Sequence, residues 1–141
     1  HKIFEVNLSN EKSNLTKDLI KLFDEKFKFH LDRYKYASRY ENSDADLHRS
    51  VCLEILIDLE KIVSESNWIF GEGINKLDIS ILPFIRQFRI ADPIWFDSQE
   101  DIKKLQNVLN NFLESKLFED VMYVYDVWER NSEPVYFPAN N

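Results

Sequence analysis

Apolar positions recur along this chain at spacings of three and four over long stretches. Within 14–40, Ile20, Phe23, Phe27, Leu31 and Tyr34 fall on one helical face. A competing alternation over 26–31 would suit a half-buried strand, but it loses phase at Asp32-Arg33 while the helical stripe runs on. The spacing therefore predicts a helix, with a break near Asp24. The polar run Glu41-Asn42-Ser43-Asp44 ends it. A second helix is predicted over 44–65, where Val51, Ile55, Leu59, Ile62 and Val63 form a stripe that Leu53, Leu56 and Ile57 widen. So broad an apolar face predicts the central member of a bundle.

Gly71 and Gly73 punctuate the next connection, and a third helix is expected over 75–88. Pro83 lies inside it and predicts a kink, because proline lacks the N–H and its ring crowds the preceding turn. Asp92-Pro93 predicts a loop carrying Trp95 and Phe96, as lid-like aromatics or as anchors. Ile102, Leu105, Leu109, Phe112 and Leu113 predict a further helix, and 117–128 a shorter one. Residues 1–13 read as a linker or N-terminal extension, 14–130 as one helical domain, and 131–141, with Pro134 and Pro138, as an extended tail. The predicted class is all-α, a bundle of five to six helices.

Composition narrows the chemistry. At 141 residues with 44% hydrophobic and 30% charged positions, the chain can bury one core without staples. Two glycines leave no glycine-rich phosphate cradle and argue against a many-turned sandwich. Eighteen Lys and Arg against 25 Asp and Glu give a net charge of −7, which opposes a general nucleic-acid binder. The stretch 26–40 runs the other way, with Lys26, Lys28, Arg33, Lys35 and Arg39 against Asp32 alone, interleaved with Phe27, Phe29, Tyr34, Tyr36 and Tyr40. Such a pattern can stack on single strands. Phe27 and Tyr34, however, belong to the core stripe, so no nucleic-acid partner is expected.

Cys52, the one cysteine, lies in the most apolar helix and reads as an inert core thiol in a reducing, cytoplasmic compartment. No apolar run is long enough to cross a bilayer and no charged-then-apolar leader opens the chain, so no membrane partner is expected. The first residue is His1, which suggests a processed or excised piece. His30 and His48 lack partners at ligand spacing, and no metal site is expected. Asn42, Asp44 and Asp46 match the start of a calcium loop, but Leu47 and Leu53 occupy the places of its glycine and final glutamate.

The most informative segment is Ile74-Asn75-Lys76-Leu77-Asp78-Ile79. Asn75 suits a helix N-cap and Asp78 the third helical position, so each can satisfy the other's orphan N–H in a capping box. Ile74 and Ile79 flank the box at the positions of a hydrophobic staple. The box accounts for Asp78 as structure, not as a catalytic acid.

Trp68-Ile69-Phe70-Gly71, this box, and the following Ile79-Ser80-Ile81-Leu82-Pro83-Phe84-Ile85-Arg86-Gln87-Phe88 together resemble the helical C-terminal domain of the glutathione transferases. In that family a capped and stapled helix lies at the domain's centre as a folding nucleus; Asn75 stands where Ser or Thr is preferred. Leu31-Asp32-Arg33-Tyr34-Lys35-Tyr36 with Arg39-Tyr40, Asp92-Pro93-Ile94-Trp95-Phe96-Asp97 and Phe112-Leu113-Glu114-Ser115-Lys116-Leu117-Phe118 are similar to a bacterial branch of it.

The resemblance implies a substrate-side domain without the thioredoxin-like domain that binds glutathione and activates its thiol. This chain alone is then expected to hold no catalytic residue and no cofactor, with glutathione a co-substrate only of a full-length parent. Its implied partners are the missing thioredoxin-like N-terminal domain, a hydrophobic electrophile, and a second copy in a homodimer through the apolar face left bare. His30, Arg33 and Tyr34 share a helix face (i, i+3, i+4), and the corresponding helix lines the family's substrate cleft; with Trp95 they are the expected substrate-binding residues. The same domain also serves in translation factors and synthetase complexes as a non-catalytic protein–protein interaction module. A third reading, unrelated to the family, is an acidic bundle that takes a partner helix in a groove.

Overall fold

The computed structural model describes residues 13–36, 44–71, 73–116, 118–121 and 123. The linker expected over 1–13, apart from Ser13, lies outside them, as do Arg39, Tyr40, Trp128 and the tail 131–141. Among the described residues the regular structure is helical, apart from one isolated bridge between Trp68 and Gly71. Helix α1 (13–22) passes through a π-helical turn, Phe23–Phe27, into α2 (Lys28–Lys35). Then follow α3 (Ala45–Glu60), α4 (Lys76–Ala91), α5 (Pro93–Asp97), a 3-10 turn Glu100–Ile102 and α6 (Lys103–Glu114). Residues 118–121 and 123 are also helical. No helix among the described residues is long and apolar enough to cross a membrane.

The break expected near Asp24 is a widened turn rather than an interruption. The Lys28 N–H reaches back five residues to the Phe23 carbonyl. In an ideal α-helix each step of four residues advances the face by about 40°. The wider turn absorbs that drift, and Phe23, Phe27 and Leu31, spaced by four, all stay buried. The Phe23 and Phe27 rings lie 4.6 Å apart, and Phe27 meets Phe88 of α4 edge-on at 5.8 Å.

Three expectations are corrected. Helix α3 ends at Glu60, not at 65: the N–H groups of Lys61, Ile62 and Val63 turn to carbonyls three residues back, and Ser64 N–H bonds to the Ile69 carbonyl at 2.8 Å. The tightened turn buries Val63 and leaves Ile62 41% exposed. Helix α3 packs against α2, α6 and both of the irregular turns, while α4 is the more deeply buried of the two. Helix α4 buries eight residues, from Leu77 to Phe88, whereas α3 buries four and leaves Val51, Leu53 and Ile57 only partly covered. Helix α4 also continues through the buried Pro83 to Ala91, beyond the expected end at Phe88.

The third correction concerns the expected loop after α4, which is the short helix α5. Asp92 ends α4, and its carboxylate accepts the Trp95 N–H at 3.1 Å. Pro93 occupies the first helical position, where its missing N–H costs nothing. Arg89 then binds Asp97 through two parallel bonds of 2.9 and 2.8 Å, folding α5 back on α4. Helix α6 packs on α3 and α4. Its first turn has no side-chain cap of its own; Glu60, the last residue of α3, supplies one from outside by accepting the N–H groups of Lys104 (2.8 Å) and Leu105 (2.9 Å).

Candidate functional site

The start of α4 is fixed by the box. Asn75 Oδ1 accepts the N–H of Leu77 at 2.9 Å and of Asp78 at 3.4 Å, while Asp78 Oδ2 accepts the N–H of Asn75 at 2.9 Å. The other oxygen, Oδ1, accepts the N–H of Ile69 at 2.9 Å. Asp78 is fully buried; burial pushes its carboxyl above the usual range, and the N–H donors of Ile69, Asn75 and Asp78 pull it back. Ile74 packs against the core, whereas Ile79 keeps 43% of its surface in solvent. These groups are structural, and they hold α4 as the post on which α2 and α5 are mounted.

Four elements converge beside the far end of α4. Tyr34 of α2 and Trp95 of α5 both pack on Phe88, with ring centroids 5.5 and 5.7 Å away, Trp95 edge-on. Arg49 of α3 lies over the Trp95 ring at 4.3 Å from its centroid and stands 3.7 Å from Asp46, with its charge felt at the Tyr34 phenol. Burial pushes the Tyr34 phenol up and Arg49 draws it back, so at neutral pH the phenol keeps its proton. The half-buried cluster thus offers a hydroxyl donor, a guanidinium and an indole face. Those groups suit a flat or anionic ligand.

His30 and Arg33 are drawn into a neighbouring cluster. The Arg33 guanidinium lies 3.6 Å over the Phe29 ring, and its Nη1 donates to the Phe29 carbonyl at 3.3 Å. His30 Nδ1 meets His48 Nδ1 of α3 at 2.8 Å, with the Phe29 ring edge-on to both imidazoles. The four expected substrate-binding residues are therefore split into two pairs: Tyr34 with Trp95, and His30 with Arg33. Trp95 is tied into the bundle, and Phe96 beside it is fully buried, which is how anchors behave. Sequence reasoning overlooked Arg49 and the role of His48, since only the crossing of α2 and α3 brings them in.

Cys52 Sγ faces the Phe27 carbonyl at 3.8 Å, and burial pushes its thiol up to about 12, with Asp32 adding to the shift. Elsewhere, an open cavity of about 440 Å³ between the start of α1 and the start of α4 is lined by Thr16, Lys17, Ile20, Phe70 and Lys76 among others. Among the described residues, no group of three or more His, Cys, Asp or Glu side chains is placed to hold a metal ion. No protein-family model matches the chain, and no curated protein and no solved structure shows significant similarity to it.

Proposed function

We propose that this chain is the substrate-side helical domain of a glutathione-transferase-like protein, working with a thioredoxin-like domain that holds and ionises the thiol. In this reading Tyr34, Arg33, His30 and Trp95 form the wall presented to a hydrophobic electrophile, and holding two reactants together supplies much of the acceleration. The observation that carries it is the box at the start of the most buried helix, with Asp78 reaching back to the Trp68-Ile69-Phe70-Gly71 turn. That combination sits on the residues that resemble the family. The helical bundle around it and the inert Cys52 fit a domain that shapes a cleft and leaves thiol chemistry to its neighbour.

A second reading, the non-catalytic docking module, draws on two observations. Arg49 is already engaged by Trp95, Tyr34 and Asp46. Ile90 and Ile94 are 47% and 85% exposed at the end of α4 and on α5. Thiol-conjugation assays with glutathione and a halonitrobenzene separate the two. The transferase reading expects turnover by the complete gene product and none by this chain alone. With Tyr34→Phe it expects a several-fold rise in KM for the electrophile and an unchanged KM for glutathione. No conjugation by the complete product would favour docking.

A further inference from the structure

We propose that His30 and His48 form a one-proton latch between α2 and α3, closed near neutral pH and opened when both imidazoles are protonated. The inference is independent of the transferase reading. The Nδ1 atoms are 2.8 Å apart while the ring centroids are 5.0 Å apart, close to the widest separation such a contact permits. The two nitrogens therefore face each other head-on, as in a hydrogen bond. Two ring nitrogens bonded this way share one proton. One imidazole donates, and the other keeps its Nδ1 lone pair and is neutral. Adding a second proton sets two N–H groups and two positive charges against each other.

The surroundings resist that second proton. On its own rod His30 feels Lys26 and Arg33, and from α3 it feels His48. The nearby acids of α3 are turned to other tasks: Asp44 accepts the Leu47 N–H as the helix cap, and Asp46 faces Arg49. Arg49 itself is held over Trp95. From α4, Gln87 faces Lys35 at 2.6 Å. Burial first, then His48, Lys26 and Arg33, hold His30 below the ordinary imidazole value. A depressed folded value means that the unfolded chain takes the proton first. The stability this group contributes is then present above about pH 6.5 and is lost as pH falls through the depressed value. Phe29 covers the pair yet is 46% exposed, so protons can reach it from solvent.

Urea denaturation of wild type and His48→Asn at about pH 7 and about pH 5 tests the latch. The Asn oxygen can accept from His30 Nδ1 and never takes a charge. Wild type should lose midpoint as the pH falls, and His48→Asn should lose less than half as much; equal losses would overturn the proposal. Should the variant fail to fold, imidazole nitrogen spectra of wild type at neutral pH decide. One ring protonated at Nδ1 and the other only at Nε2 is expected, and two rings both protonated only at Nε2 would overturn it.

Discussion

The carboxylate of Asp78 accepts the backbone N–H of Ile69 at 2.9 Å, tying the turn before α4 to the first turn of α4. Asp78 is the one buried charged side chain among the described residues. A carboxyl in that position is tolerable only because backbone donors meet both of its oxygens. The bond closes the ten-residue span from Ile69 to Asp78, and the Trp68–Gly71 pair overlaps its start. It thereby fixes where α4 begins relative to α3.

Replacing Asp78 with Ala removes the box and orphans the buried Ile69 N–H. The cap contributes about 1 kcal/mol and an unsatisfied buried donor costs about 1–3 kcal/mol, so a loss of about 2–4 kcal/mol is expected. Equilibrium urea denaturation measures it. A loss below about 0.5 kcal/mol, the range of ordinary surface substitutions, would show that the tie is energetically idle.

Glu60 supplies the missing cap of α6 across 45 positions of sequence. Glu60→Ala should cost about 1 kcal/mol, the usual worth of an N-cap. Glu60→Gln keeps one accepting oxygen and should lose roughly half of that. Amide exchange localises the effect: Lys104 and Leu105 should speed up in Glu60→Ala, with the amides of α2 unchanged. A uniform acceleration through the bundle would contradict the local capping role.

A thiol pushed up to about 12 is unionised at the pH of ordinary labelling chemistry, and Cys52 is also fully buried. An aromatic disulfide reagent should therefore react with Cys52 only through unfolding, with the rate rising steeply in urea. Rapid stoichiometric labelling of the native protein would show that α3 does not seat Cys52 against Phe27.

The parts of this fold that could be read from the sequence are those written over short distances. The stripe of Phe23, Phe27 and Leu31 marks a buried rod even where the turn widens, because a four-residue repeat is visible without knowing how the backbone accommodates it. Asn75 and Asp78 are three residues apart, so the box announces itself. The overrun of α3 arises because Ile62 and Val63 continue the apolar pattern past Glu60, where the chain has already tightened. Asp92-Pro93 is at once a loop signal and a cap followed by a first-position proline, and Trp95 N–H chooses the second. The pairs that shape the candidate site join different helices: His30 with His48, Tyr34 with Arg49, Arg49 with Trp95. No local spacing encodes such contacts, because they depend on how α2, α3 and α5 cross.

Native-state hydrogen exchange on this chain bears most directly on α4 and its tied turn as the centre of the domain. The Ile69 and Asn75 amides, both bonded to Asp78, should exchange only with global unfolding, as slowly as Ile81, Leu82 and Ile85 in the buried body of α4. If Ile69 and Asn75 instead open orders of magnitude faster than Leu56 in α3, the turn is a fraying appendage. The domain would then be organised around another helix.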